Sequence, residues 1–475
     1  MPSVSQVQRI ARPVLSDPPA LSARGQRSLV RPPLLRCSLF NCQYNACLNQ
    51  TGLLNLGVAE NYGSALTGSL RLFAALRHFF GVYFDARTPV LPEHIIAGTG
   101  CSSILDALAA VLADPGDGIL CARPHYNGFQ PDFAYRNDVH VVGVDLPSGK
   151  EADPSSLEAF ERQLAQCEQA GQKISAVLLC NPNNPLGFCY PRETLIAYCR
   201  FAEKHNLHLI VDEIYALSTY ESDHPDPQPF VSILSLDPLV DAGCNPSRIH
   251  CVYGPSKDFG VNGLRLGVLV SQANPDLHVA MEANALLMKI SSASVRWTAD
   301  EPQEPKELEL TGLPLQDVLW SNLLLDPVGL PTYLALNKSR LAEAYRRAIT
   351  FLQKHAIPYR PAHAGHFVWI DLRRFLPTAD VEGNRLESEA EQEVELVKRF
   401  LAHGINLGRG VAYDGKPGFF RLTFTLRPEY FDTGIRRLEE ALGLGAETAT
   451  DKGPTRELCS ACEMSAQTKR FAISA

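Results

Sequence analysis

The chain of 475 residues is 45% apolar and 20% charged, a balance that suits a folded protein and excludes disorder on a large scale. Its 44 basic and 52 acidic side chains leave a net charge of −8, which gives no electrostatic ground for nucleic acid or an anionic membrane as partner. No run approaches the roughly 18–20 uninterrupted apolar residues of a membrane span, and the N-terminus has no apolar core of the secretory kind.

Residues 1–36 hold six arginines (Arg9, Arg12, Arg24, Arg27, Arg31 and Arg36) against one acid, Asp17. That bias is shared with organelle transit peptides, but Pro13, Pro18 and Pro19 interrupt any amphipathic helix. A cytoplasmic protein with a loose, irregular arm at 1–50 is the expectation, with an N-terminal targeting peptide left open. From Leu53–Asn61 and the helical run Leu70–Phe80 an ordered pattern begins. Short apolar runs at Ile95–Ala97, Gly118–Cys121, Val139–Val144, Ala176–Leu179, Leu207–Val211, Ile249–Tyr253 and Leu266–Val270 read as buried strands. Between them Ser103–Ala113, Leu157–Ala170 and Arg192–His205 carry helical periodicity. Such alternation predicts a mostly parallel sheet covered on both faces.

Ala299–Gln316 is acidic and broken by Pro302, Pro305 and Pro314, so 296–320 reads as an exposed insertion. A helix at Leu334–His355, a strand at His366–Leu372, a helix at Glu391–His403, a strand at Phe420–Thr425 and a helix at Thr433–Leu442 follow. The expected organisation is an arm at 1–50, a large domain at 51–295, the insertion, a small α+β domain at 321–445 and a disordered tail at 446–475. The thirteen cysteines show no disulfide spacing; Cys121, Cys180, Cys199 and Cys251 lie in apolar runs as small hydrophobes. Cys459 and Cys462 form one CxxC without a second ligand pair, so no metal site is expected.

Three of the strands end in chemistry. Asn181-Pro-Asn-Asn-Pro-Leu-Gly187 follows Ala176–Leu179, Asp212-Glu-Ile-Tyr215 follows Leu207–Val211, and Gly254-Pro-Ser-Lys257-Asp-Phe-Gly260 follows Ile249–Tyr253, with Gly263-Leu-Arg265-Leu-Gly267 close behind. In open α/β sheets, ligands bind at these carboxyl ends. An amine, a carboxylate, phenol and amide donors and a guanidinium together suit a lysine imine to an aldehyde cofactor with a pyridine ring and a phosphate.

These motifs, in this order, resemble the class I/II aminotransferases of pyridoxal 5′-phosphate (PLP) fold type I. Within them the chain is similar to the 1-aminocyclopropane-1-carboxylate (ACC) synthase-like branch. Asn55-Leu-Gly-Val-Ala-Glu-Asn61, Asp114-Pro-Gly-Asp117, Pro124-His-Tyr-Asn-Gly-Phe129, Ala364-Gly-His-Phe-Val-Trp369 and Pro417-Gly-Phe-Phe-Arg421 support the likeness, which spans roughly residues 50–445. The resemblance implies a large domain built on a mostly parallel seven-stranded sheet between helices, a smaller C-terminal α+β domain, and PLP as cofactor. It implies that Lys257 forms the internal aldimine and then takes the substrate's Cα proton, and that Asp212 pairs with the pyridinium nitrogen. Asn184 and Tyr215 would bond the phenolic oxygen and Tyr126 would stack on the ring. Gly100, Cys101 and Ser102 would hold the phosphate at a helix start, with Ser256 and Arg265. Arg421 would receive the α-carboxylate, and Ala59 and Glu60 would meet the substrate. A homodimer and a small amino-acid-like substrate are expected, with neither nucleic acid nor membrane.

The chain also departs from the pattern. Where ACC synthases place a tyrosine that reaches the neighbouring subunit's site, this chain has Thr67, with Tyr62 nearby; where a phosphate-binding serine is expected it has Gly254, and Gly100-Cys101 replaces Ala-Thr. His366 stands where an apolar residue is usual. Gly100-Cys-Ser-Ser-Ile-Leu105, Tyr126-Asn-Gly-Phe129 and Ser256-Lys-Asp-Phe-Gly260 look like the fungal secondary-metabolite relatives, among them C–S lyases that form dithiols. The sequence leaves transamination and C–S cleavage through the same quinonoid open, with ACC synthesis and a non-enzymatic regulator as the other readings. The acidic balance and the absence of a paired-helix pattern in the arm speak against the regulator.

Overall fold

The computed structural model describes residues 16, 17, 19–30, 70–283 and 315–444. Seven strands form the large sheet: β1 (Ile95–Gly98), β2 (Gly118–Arg123), β3 (His140–Asp145), β4 (Ile174–Cys180), β5 (His208–Asp212), β6 (Ile249–Tyr253) and β7 (Gly267–Val270), in spatial order β1-β7-β6-β5-β4-β2-β3. The β3-β2-β4-β5-β6 run is parallel, and β7 lies antiparallel to both β6 and β1. A second sheet, order β10-β11-β9-β8, joins β8 (Tyr359–Arg360), β9 (Phe367–Asp371), β10 (Gly408–Arg409) and β11 (Phe419–Thr423), all antiparallel.

The helices are α1 (Ala23–Val30), α2 (Leu70–Tyr83), α3 (Cys101–Leu112), α4 (Phe129–Asn137), α5 (Leu157–Gln169), α6 (Arg192–Lys204), α7 (Pro238–Ala242), α8 (Pro275–Ala283), α9 (Leu315–Leu324), α10 (Gly329–Lys354), α11 (Glu389–Ala402) and α12 (Pro428–Ala441). Strand side chains alternate between faces, and β4 shows the result. Val177 and Leu179 join one core with α2, α5 and α6, whereas Ala176, Leu178 and Cys180 join the other with α3, α4 and α8. Because both faces are covered, these strands read as continuous apolar runs. The helix α10 spans both units: Leu330 and Leu334 pack into the large-domain core, and Leu341, Tyr345, Ile349 and Leu352 into a third core under the second sheet.

Two expectations change. The arm expected to be irregular contains α1, because Pro18 and Pro19 precede the helix rather than interrupt it. Ser22 Oγ donates to the Ala110 carbonyl at 2.8 Å and Ala23 N–H to Asp114 Oδ1 at 2.8 Å, which fix the helix on the large domain. The end of the expected insertion forms α9, whose Trp320 is buried edge-on against Phe259 and donates to the Leu264 carbonyl at 3.3 Å. The helix α4 carries Pro131 in its first turn and buries only Phe129, Phe133 and Asn137, too weak an apolar stripe to signal a helix. Residues 51–69, with Ala59, Glu60, Tyr62 and Thr67, the body of the insertion, and the tail with Cys459 and Cys462 lie outside the described residues. The eight described cysteines are free and buried. Among the described residues no helix is long and apolar enough to cross a membrane, and no cluster of His, Cys, Asp and Glu could hold a metal ion.

Candidate active site

The carboxyl ends of β4, β5 and β6 lie side by side, and backbone bonds knit the loops that leave them. Asn181 N–H reaches the Asp212 carbonyl at 2.9 Å, and Glu213 N–H reaches that of Val252 at 2.8 Å. Glu213 is fully buried and structural: it accepts from Ser232 Oγ at 2.6 Å and Ile233 N–H at 2.7 Å.

Asp212, the last residue of β5, is 4% exposed, and its carboxylate accepts one hydrogen bond, from Ile214 N–H at 3.2 Å. Burial pushes its carboxyl up to about 7, against the pull of that bond and of Lys257. Lys257, in the turn after β6, is half-buried; burial lowers its pKa, and the Arg421 guanidinium adds to the effect. Tyr215 is buried edge-on to His366 (5.2 Å) and Phe367 (5.4 Å), and burial raises its phenol.

Arg421, on β11, crosses from the second sheet. Its guanidinium sits 4.8 Å from the ring centres of both Phe367 and Tyr413, and it donates to Asn184 Oδ1 at 2.9 Å. That bond occupies the amide oxygen of the buried Asn184 and leaves its nitrogen as a donor. The Nε of Arg421 is buried without a partner.

On the other side, Gly100 caps α3 at φ +96°, and a Cβ there would lie 2.1 Å from the Arg265 guanidinium. Glycine is therefore required twice, for its backbone and for Arg265. The exposed Arg265 donates to the carbonyls of Asn262 (2.9 Å) and Thr99 (3.1 Å). A Cβ on Gly254 would lie 2.7 Å from Cys101 Sγ, so the thiol fills the volume that a serine at 254 would need. Two sequence departures are thus one packing exchange. Ser256 is buried, and Tyr126 stands half-buried, edge-on to Phe129 at 5.3 Å. Ser102 is exposed, and its hydroxyl is turned to Asp132 Oδ2 at 3.1 Å, leaving its backbone amide for an anion; burial pushes Asp132 up to about 6.

Lys257, Arg265 and Arg421 make no salt bridge among the described residues, while Asp212 has no cation within ion-pair distance. Three unmatched cations around one unmatched buried carboxylate form an incomplete electrostatic set. An anion-bearing ligand with a basic nitrogen would complete it.

A family model for class I and II aminotransferases matches residues 57–438. The chain belongs to this family. Among its relatives, the probable aminotransferase gliI of Aspergillus fumigatus is 33% identical over 398 residues, 82% of this chain and 83% of that one. The probable aminotransferase aclI of Aspergillus oryzae is 34% identical over 387 residues, 81% and 83% of the two chains. The 1-aminocyclopropane-1-carboxylate synthase-like protein 1 of Bos taurus is 30% identical over 446 residues, 88% and 81%. A tetra mutant of Thermus thermophilus aspartate aminotransferase superposes with a TM-score of 0.60 at 18% identity, over 93% of this chain and all of that one. The chain therefore has PLP fold type I, with the mostly parallel seven-stranded sheet and smaller α+β domain expected from the sequence.

Several residues of the candidate site carry little sequence signal. Tyr413, which with Phe367 flanks Arg421, and Ser218, which faces His366 Nε2 at 3.2 Å, lie outside the quoted motifs, and Phe367 stands in a quoted segment that assigns it no role. Asp258 adjoins Lys257 in the quoted motif, but its burial and its bond from Ser218 are tertiary facts.

Proposed function

We propose that this enzyme holds PLP at Lys257 and removes the Cα proton of an amino-acid-like substrate, then either transaminates it or expels a sulfur substituent from Cβ, in secondary-metabolite biosynthesis. The observation that carries the reading is the unmatched set: Lys257, Arg265 and Arg421 without carboxylates, and Asp212 without a cation. The donor chemistry fits PLP. Asp212, buried and held near neutrality, would be ionised by a protonated ring nitrogen beside it. The amides at the start of α3, with Ser256 and Arg265, suit the phosphate. Asn184 Nδ2 and the Tyr215 hydroxyl suit a phenolate oxygen, and Tyr126 a ring face.

PLP, when bound, supplies an electron-withdrawing ring conjugated to Cα. Arg421, clamped between two aromatic rings and tied to Asn184, presents its remaining N–H groups for the α-carboxylate and so orients Cα. Lys257 Nζ takes the Cα proton; burial and the Arg421 guanidinium lower its pKa, which favours the free amine relative to an ordinary lysine. The relatives that carry aminotransferase names support transamination, and the likeness of the 100–105, 126–129 and 256–260 segments to fungal secondary-metabolite relatives, C–S lyases among them, keeps elimination beside it. A homodimer, a cytoplasmic setting, and the substrate contacts of Ala59 and Glu60 belong to the same reading. A non-enzymatic role is disfavoured, because Lys257 and Asp212 stand together at adjacent strand ends. Ring closure to ACC is disfavoured by Thr67.

Incubation with S-conjugated cysteines, with and without keto-acid acceptors, tests this. Pyruvate, ammonia and a free thiol mark elimination, and a new amino acid marks transamination. Neither product from a holoenzyme that exchanges no Cα–H would overturn the proposal.

A further inference from the structure

One polar side chain at the site is not used by that reading. His366 precedes β9, stands half-buried, and packs edge-on to Tyr215 at 5.2 Å. Its Nε2 lies 3.2 Å from Ser218 Oγ. Ser218 donates to Asp258 Oδ1 at 2.6 Å, and Asp258 Oδ2 accepts from Leu217 N–H at 3.2 Å and the Tyr253 hydroxyl at 3.1 Å. Three donors converging on the fully buried Asp258 are the pattern of an ionised carboxylate.

The proton order follows from this chain of bonds. The Ser218 hydroxyl has one proton, and it is committed to Asp258. Ser218 Oγ therefore accepts from His366, so Nε2 carries the imidazole proton and Nδ1 is a bare lone pair. Nδ1 has no hydrogen-bond partner among the described residues. We propose that His366 is a specificity-determining residue: a locked Nε2–H tautomer whose Nδ1 accepts a hydrogen bond from a donor-bearing substrate side chain, an amide or hydroxyl, and rejects a second carboxylate.

The proposal rests on the PLP reading above, which fixes a substrate by its α-carboxylate at Arg421 and by Cα at Lys257. One substituent then remains to be placed, and His366 is a polar side chain beside both cations. Burial lowers its imidazole to about 4, with Lys257 and Arg421 adding to the effect, so the ring stays neutral and the lone pair is kept near neutral pH. Burial also pushes Asp258 up to about 7, so the lock is complete on the alkaline side of that value. A neutral acceptor leaves a facing carboxylate unpaired and repelled, which costs about 10-fold or more in affinity relative to its amide.

The test is spectral titration of holoenzyme at pH 8 with L-asparagine and L-aspartate. The unmodified enzyme binds asparagine about 10-fold or more tightly. His366→Leu brings the ratio to near one, and Ser218→Ala brings it part of the way by freeing the tautomer. An unchanged ratio in His366→Leu overturns the assignment, and if that variant does not fold, an unchanged ratio in Ser218→Ala does so. Nitrogen-15 NMR gives an independent readout: the His366 ring shows the Nε2–H pattern, and an Nδ1–H pattern contradicts the lock. The absorbance of bound PLP is recorded first. Its absence from the unmodified enzyme would sink the underlying reading, whereas a normal band with an unchanged ratio removes only the role of His366.

Discussion

The two ends of the large sheet treat charge in opposite ways. At the amino ends of β5 and β6, Arg248 is fully buried and saturated: it donates to Glu203 Oε2 at 2.7 Å, Asn206 Oδ1 at 2.8 Å, and Ser16 Oγ and the Asp17 carbonyl from the N-terminal segment. Glu203, though buried in part, is held down to about 2 by Asn245 N–H, Ser16 and Arg248. At the carboxyl ends of the same strands, Asp212 is pushed up to about 7, Lys257 is lowered, and Arg421 keeps a buried Nε without a partner. Similar residue types are paired at one end and unpaired at the other. Cations without a carboxylate and a buried carboxylate without a cation thus meet where a ligand is proposed to bind, whereas the buried arginine of the opposite end is paired.

Breaking each end should have a different signature. Arg248→Ala removes a fully buried set of hydrogen bonds and leaves the half-buried Glu203 without its cation, and should destabilise the protein by about 1–3 kcal/mol. Urea unfolding should show this, while the folded fraction keeps its cofactor absorbance; a loss under 1 kcal/mol would mean that the bonds of Arg248 do not stabilise the fold. Asp212→Ala should retain PLP yet slow Cα–H exchange by about 10²–10³-fold, the scale of a lost electrostatic stabiliser. Deuterium exchange read by NMR at an unchanged rate would remove Asp212 from its role.

The pH dependence sharpens the comparison further. Asp212, Glu213 and Asp258 each have folded values near 7, raised from ordinary carboxyl values by burial. The stability they contribute is full below about pH 4 and is lost as pH rises through about 7. Glu203 has the opposite sign, with stability present above about 4.5 and lost as pH falls towards 2. Asp212's share of the urea midpoint of the cofactor-free protein should therefore fall between pH 5 and pH 8, against the opposite drift below pH 6.5 of His208, His363 and His366, whose imidazoles burial lowers. Asp212→Asn should flatten that fall by on the order of 1 kcal/mol; a slope indifferent to this substitution would contradict the burial account.

Much of this was legible in the sequence, for a physical reason. Strands buried on both faces write unbroken apolar runs, so β4, β5 and β6 and the loops after them could be placed from Ala176–Leu179, Leu207–Val211 and Ile249–Tyr253 alone. Elements held by tertiary contacts were not legible. The helix α4 is fixed by two phenylalanines and α1 by side-chain bonds to α3 and Asp114; β8 and β10 are two residues long. The same divide runs through the site. Lys257, Asp212, Asn184, Tyr215 and Arg265 lie in contiguous motifs, whereas the aromatic clamp on Arg421, the Cys101–Gly254 exchange and the Asp258–Ser218–His366 chain join residues far apart in sequence, whose pairing only the fold reveals.

The central claim is that the carboxyl end of the sheet holds PLP through Lys257. Purified enzyme mixed with PLP should develop the visible absorbance of a protonated Schiff base, and Lys257→Ala, still folded by circular dichroism, should lack it while Arg248→Ala retains it. No band in the unmodified enzyme, or an undiminished band in Lys257→Ala, would contradict the account.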